Sequence, residues 1–182
     1  HLDRQLFVHS GYPTEESDAV FFGPDSYRFA SAIQAHLARR KRPARRVVDI
    51  GCGAGPGAIV AQLACPQAEV IALDINARAL EFTRVNARLA GVELQALHSD
   101  LLAAVDGEFD LILANPPYMA DPQGRAYRDG GGFLGSGLSQ AIVGAASKAL
   151  SLDGTLLLYT GVAIVEGKDP FLAVIQPYLD GA

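Results

Sequence analysis

The sequence predicts a doubly wound, mostly parallel α/β sheet, on three observations. Short apolar stretches alternate with amphipathic stretches of ten or more residues along the chain. A glycine cluster, Gly51-Cys52-Gly53-Ala54-Gly55-Pro56-Gly57, closes the first apolar stretch, where a strand would turn into a helix. Phe109–Ala114 is apolar at nearly every position, as a strand covered by helices on both faces must be.

Asp25 or Ser26 can cap a first helix running to about Arg40, with Phe29, Ile33 and Leu37 recurring on one face. Arg46–Ile50 reads as the first strand, and a helix follows the glycine cluster to about Ala64. Glu69–Leu73 is the second strand, ending at Asp74. Asn76 then caps a helix through Ala90 that carries Ala79, Leu80, Val85 and Leu89, and Gly91 stops it. Val92–Leu97 is the third strand and Phe109–Ala114 the fourth. A helix from Ser139 to about Leu150, a fifth strand at Thr155–Thr160 and a helix from Pro170 to about Leu179 complete the series. Strands separated by such helices pair in parallel through right-handed crossovers.

With 182 residues the chain has the length of one domain, on a scale of roughly 100–200 residues per domain. That domain divides into a helical lead-in over about residues 1–44 and a core over 45–182. A composition of 49% hydrophobic and 19% charged residues, with mean hydropathy +0.17, supports a packed core and excludes global disorder. No apolar run approaches the ~18 residues of a membrane span, and no secretory leader opens the chain, so a cytoplasmic protein without a membrane partner is expected. Cys52 and Cys65 are too few for a disulfide scaffold. Together with the scattered His1, His9, His36 and His98 they lack metal-ligand spacing, so no metal is expected. The net charge is −5, although residues 39–46 (Arg39, Arg40, Lys41, Arg42, Pro43, Ala44, Arg45, Arg46) hold six basic side chains and no acid. That run falls between the first helix and the amino end of the first strand, so a solvated turn is expected there rather than a nucleic-acid contact.

Ligands of open parallel sheets sit beyond the carboxyl ends of the strands, where the strand order reverses. The turn Asp49-Ile50-Gly51-Cys52-Gly53-Ala54-Gly55 is therefore the place to look. Its glycines let the backbone turn tightly and approach a ligand, and the amides of the next helix favour an anionic group. Asp74 ends the second strand 23 residues after Gly51, near the ~20 expected for a carboxylate that binds ribose hydroxyls. A nucleoside ligand is implied. Gly53-x-Gly55-x-x-Ala58 also fits a relaxed dinucleotide fingerprint, which keeps NAD in competition, whereas Asp49 would oppose a pyrophosphate and suit a cationic ligand.

Asn115-Pro116-Pro117-Tyr118 follows the fourth strand on the same edge of the sheet. Two prolines fix the backbone and remove two N–H donors, so nearby carbonyls face outward unpartnered. Beside them stand an amide and an aromatic ring. Such a site suits a planar group bearing NH2, with Asn115 Oδ1 and the Pro116 carbonyl accepting its two protons and Tyr118 packing on its face.

Over roughly residues 20–161 the sequence resembles class I, Rossmann-like S-adenosylmethionine-dependent methyltransferases of the group with an Asn/Asp-Pro-Pro-Tyr motif. These methylate protein glutamine, ribosomal-RNA guanine or DNA adenine. The resemblance implies S-adenosyl-L-methionine as cofactor, with Gly51, Cys52, Gly53 and Gly55 around its methionine part and Asp49 supporting that loop. It implies Asp74 on the ribose diol, Ile75 against the adenine, and the segment Ser99-Asp100-Leu101 reaching the adenine amino group. Asp100 reads equally as a helix cap. Phe21-Phe22-Gly23-Pro24-Asp25-Ser26-Tyr27 resembles the stretch that closes over the cofactor, and is also an apolar approach to the first helix. Asn115, Pro116, Pro117 and Tyr118 are the implied catalytic residues, with Asn115 also counted among the cofactor-binding ones.

Asp129 through Leu138 resembles the Gly-Gly-x-x-Gly stretch of glutamine methyltransferases, although the glutamate and proline that precede it in the bacterial release-factor enzymes are not evident. Arg125, Tyr127, Arg128 and Phe133 are candidate substrate contacts, although the stretch reads more readily as an exposed, mobile loop. A glutamine-bearing protein leads as substrate, followed by an RNA or DNA base and then a small amine. An NAD-dependent oxidoreductase and a non-catalytic nucleic-acid-binding module are the rivals, and neither explains Asn115–Tyr118. The resemblance further implies antiparallel strands after the fifth strand's helix, which this chain is too short to supply, so a piece of a longer protein is expected.

Overall fold

The computed structural model describes residues 2, 4–12, 14, 16–121 and 128–180. Five α-helices and five strands follow one another among these residues, alternating except where β4 follows β3 without a helix: α1 (Pro24–Arg39), β1 (Arg46–Ile50), α2 (Pro56–Ala64), β2 (Glu69–Asp74), α3 (Ala77–Ala90), β3 (Gln95–His98), β4 (Phe109–Ala114), α4 (Gly137–Ala146), β5 (Leu150–Leu158) and α5 (Pro170–Leu179). The sheet order is β3-β2-β1-β4-β5 and every neighbouring pair is parallel. The chain builds outward from β1 to β3, then returns to the other side of β1. The strand order therefore reverses between β1 and β4.

The two faces of the central strands explain their unbroken apolar runs. Val47, Leu111 and Leu113 pack with Phe29 and Ile33 of α1 and Ala58 and Ala61 of α2. Val48, Ile50, Ile112 and Ala114 point the other way, against Ile142 and Ala146 of α4. Each buried Val, Leu, Ile or Phe side chain among these contributes on the order of 1.5–3 kcal/mol by leaving water, which makes β1 and β4 a rigid base for whatever follows their carboxyl ends.

Four local expectations are corrected. Helix α1 begins before Asp25: Gly23 is its cap, Pro24 its first residue, and the Gly23 N–H donates to Ser26 Oγ. Proline's fixed φ suits the first helical position. The inward face of α3 holds Ala79, Leu80, Thr83, Asn86 and Ala87, while Val85 and Leu89 are 40% and 54% exposed. Polar Thr83 and Asn86 turn inward because they bond the glycine turn, as described below. β3 starts at Gln95 rather than Val92, because the Val92 N–H is used in closing α3, donating to the Ala87 carbonyl beyond the left-handed Gly91. Finally, α4 stops at Ala146 and β5 covers Leu150–Leu158. The Ala149 carbonyl already accepts from the Phe109 N–H, and an irregularity between Phe109 and Leu111 absorbs the extra residues before Thr155.

The basic run lies at the amino edge of the sheet and is partly structural. Arg46 pairs with Glu69 at 2.7 Å, donates to the Asp106 carbonyl and stacks 4.4 Å from the Phe109 ring centroid. The backbone N–H groups of Arg45 and Arg46 both donate to Asp110 Oδ2. Among the described residues no helix is long and apolar enough to cross a membrane, and no cluster of His, Cys, Asp and Glu could hold a metal ion.

Candidate active site

Strand register assembles the site. Ile50 pairs with Leu73 on one side and Ala114 on the other, so the residues that follow, Gly51, Asp74 and Asn115, stand side by side at the carboxyl edge. A cavity of about 440 Å³ opens there. Gly51, Gly53, Asp74 and Ile75 line it, together with Asn115, Pro116, Pro117 and Tyr118. Phe21 before α1, Asp25 in its first turn and the segment around Ala19 and Val20 also line it, with Arg128 and Met119 beside Tyr118. Of the other proposed loop contacts, Arg125 and Tyr127 lie outside the described residues, and Phe133 opens a short 3-10 turn, Phe133–Gly135. A second cavity of about 230 Å³, between α4 and α5, has no titratable lining residue.

The glycine turn and Asp74 form one unit. Gly51 and Gly53 have φ of +68° and +56°, a left-handed conformation that costs glycine little. The Gly53 N–H donates to Asp74 Oδ2 at 2.9 Å and the Asn76 N–H to Oδ1 at 2.8 Å. Burial pushes the Asp74 carboxyl up, and these two N–H bonds work against that shift. Each Asp74 oxygen keeps acceptor capacity toward the cavity. Ile75, next along, is 65% exposed on the cavity wall, an apolar face suited to a flat heterocycle. These residues fit a nucleoside with a cationic or neutral tail.

Other expected cofactor residues stand behind the turn rather than on the wall. Asp49 is fully buried, with Oδ2 accepting from the Ala58 N–H at 2.8 Å in the first turn of α2. Cys52 is buried with Sγ 3.4 Å from Thr83 Oγ1, and Gly55 caps α2. Asp100 and Leu101 are not on the cavity wall: Leu101 packs on the core, and Ser99 Oγ organises their loop by accepting from the Ala104 N–H.

Two residues the sequence reading passed over hold the turn from α3. Thr83 Oγ1 donates to the Gly53 carbonyl at 3.0 Å. Asn86 Nδ2 donates to the carbonyls of Ala54 and Val8, and its Oδ1 accepts from the Val8 N–H. Their signal was present as two polar residues in phase with Ala79 and Leu80. Residues 16–18 cross the start of α3, where Arg78 pairs with Glu16 and Asp18.

Burial pushes the Asp49 carboxyl up to about 7, against the Ala58 N–H bond and with the Asp74 charge adding to the rise. Between its ordinary value of 3.8 and about 7 the unfolded chain has released this proton while the folded chain retains it. The unfolded state then binds fewer protons, so stability falls as pH rises through that window, by up to about 4 kcal/mol. Asp49→Asn keeps an acceptor for Ala58 and has no proton to lose. Urea unfolding of this variant at a series of pH values is expected to show a much shallower fall between pH 4 and 7; a parental slope would contradict the buried carboxyl.

At the other end of the cavity, Asn115 makes no side-chain hydrogen bond among the described residues, and none ends on the Pro116 carbonyl. Both oxygens are free to accept. Tyr118 is held: its hydroxyl donates to Asp25 Oδ2 at 2.6 Å, and its ring lies where a side chain at Gly161 would stand. The hydrogen bond to Asp25, with burial and the Asp25 charge adding to it, pushes the Tyr118 phenol up to about 12.

The sheet order, the cavity at its switch point and the acid-bound glycine turn are those of a class I, Rossmann-like methyltransferase, a class whose cofactor is S-adenosyl-L-methionine. The profile of the methyltransferase small domain family matches residues 17–163, and the chain belongs to that family. It is 36% identical over 155 residues to a release factor glutamine methyltransferase of Deinococcus radiodurans, a match covering 80% of this chain and 55% of that protein. A ribosomal RNA small subunit methyltransferase C of Actinobacillus succinogenes is 49% identical over 86 residues, 45% of this chain and 24% of that one. The structure of the Thermus thermophilus 16S rRNA N2 G1207 methyltransferase, in complex with AdoMet and guanosine, superposes with a TM-score of 0.65 at 25% identity, covering 96% of this chain and 41% of that one. The chain thus spans about half or less of the length of these relatives.

Proposed function

We propose that this domain transfers a methyl group from S-adenosyl-L-methionine to an amide or amino nitrogen, with a protein glutamine side chain as the favoured acceptor. The observation that carries the reading is the pair of uncommitted acceptors, Asn115 Oδ1 and the Pro116 carbonyl, in the same cavity as Gly51 and Asp74. Asp74, Ile75 and the glycine turn would hold the cofactor.

When bound, the cofactor supplies a sulfonium methyl: the acceptor nitrogen's lone pair forms the new N–C bond, the C–S pair leaves with sulfur, and one N–H proton is released. An amide nitrogen is a poor nucleophile because its lone pair is delocalised into the neighbouring π system. Asn115 Oδ1 and the Pro116 carbonyl, each accepting one N–H, favour the pyramidal nitrogen of the transition state and aim its lone pair. They also stabilise the positive charge that develops there, without a strong base. Pro116 and Pro117 keep the two oxygens in place before the acceptor arrives.

The glutamine reading draws support from the Gly-Gly-x-x-Gly-like loop folded onto Tyr118 and Met119, and from a release-factor relative aligned over most of the chain. A guanine or adenine amino group presents the same two N–H bonds and is the second reading, supported by the ribosomal-RNA relatives. Radiolabelled methyl transfer to fractionated protein, RNA and DNA separates them. Label on glutamine of a protein fraction is the expected result, and label confined to nucleic acid overturns the acceptor assignment.

A further inference from the structure

Asp25 does not cap α1, and its carboxylate collects three donors instead. Tyr118 Oη donates to Oδ2 at 2.6 Å, while Tyr159 Oη and the Arg28 guanidinium each reach Oδ1 at 3.1 Å. The donors come from the end of β4, the end of β5 and α1 itself. Asp25 also lines the cavity, directly after the Phe21–Pro24 segment whose Phe21 lines it too. We propose that Asp25 is a positioning residue for methyl transfer: it fixes the Tyr118 ring in the orientation that receives the acceptor, and ties that ring to the segment on the cofactor side of the cavity. This rests on the reading of Asn115–Tyr118 as the acceptor platform.

The chemistry fits a fixed strut rather than a proton relay. Tyr118's hydrogen bond, with help from Tyr159 and Arg28, holds the Asp25 carboxyl below its ordinary range, and the same bond keeps the Tyr118 phenol protonated. A carboxylate accepting from a phenol forms a short, charge-assisted bond with a preferred direction. Gly161 leaves room for the ring on one side, so the hydroxyl is the other point that sets its tilt. Arg28 is exposed, so its share of the anchor is small.

The test compares Asp25→Asn, Tyr118→Phe and the double variant. Each single change is expected to lower kcat about tenfold, the scale of one charge-assisted hydrogen bond, with the cofactor dissociation constant within twofold of the parent. Because both changes break the same link, the double variant is expected to be no slower than the worse single one. In alkaline difference spectra, the tyrosine that ionises near 12 in the parent is expected to fall toward the ordinary range of about 10 in Asp25→Asn. Losses that multiply in the double variant, or a parental kcat in Asp25→Asn, overturn the proposal. The titration needs no methyl acceptor, so a Tyr118 signal unmoved by Asp25→Asn refutes it whatever the acceptor proves to be. A merely structural role would lower thermal stability in all three variants and shift the tyrosine titration in Asp25→Asn as well, but would leave kcat measured well below the transition at its parental value.

Discussion

Asn115→Ala is expected to lower the single-turnover methylation rate about 10²-fold or more, the scale for losing one preorganised polar group where charge develops. Cofactor binding, measured by calorimetry, should stay within about twofold, because Asp74, Ile75 and the glycine turn lie on the other strands. The size follows from what Asn115 lacks. No hydrogen bond among the described residues holds its side chain, so removing it leaves no orphaned partner and little loss of fold stability. The whole effect should therefore be kinetic. Asn115→Asp keeps an acceptor oxygen at the same reach and is expected to retain more rate than alanine. A parental single-turnover rate in Asn115→Ala would remove the amide from the mechanism.

What the sequence showed of this site was carried by short-range pattern. Gly51–Gly55, Asp74 and Asn115–Tyr118 each sit at a strand end, and strand ends can be read from local composition. Parallel pairing then places them on one edge without further information. Asp25 was legible as a candidate helix cap and as part of the Phe21–Tyr27 stretch, but not as the partner of Tyr118. Its partners Tyr118 and Tyr159 lie 93 and 134 residues away along the chain, and no local periodicity encodes a bond between them. Thr83 and Asn86 were missed for a related reason. Apolar spacing pointed to Val85 and Leu89 as the buried face of α3, whereas the structure buries the two polar residues against the turn they support. Hydrophobic periodicity finds faces that bury carbon, and it misjudges a face whose task is to satisfy backbone carbonyls. The length of β5 escaped for a topological reason: the ladder to Phe109 begins at Leu150, inside what reads as the end of a helix.

Gly130→Ala is expected to match the Asn115 variant in lost turnover while acting only through backbone. An added Cβ at residue 130 would stand 1.9 Å from the Gly135 carbonyl oxygen and 2.8 Å from both the Pro117 oxygen and Tyr118 Cα. Relief by a small local tilt is blocked, because the Gly130 N–H donates to the Met119 carbonyl and its own carbonyl accepts from Leu138. The loop must therefore lift from the Pro117–Met119 segment. Overpacking of this kind costs about 1–3 kcal/mol, and about 1 Å of misplacement at the reacting groups costs on the order of 10²-fold in rate. Gly131→Ala is the matched control. Its φ of +67° makes alanine pay about 1–2 kcal/mol of left-handed strain, yet nothing lies within 4 Å of the added carbon. It should lose thermal stability and keep its rate. Measuring kcat, cofactor affinity and Tm for both variants separates the two effects, and equal rate losses would mean that strain in the loop, rather than displacement of Pro117 and Tyr118, controls turnover.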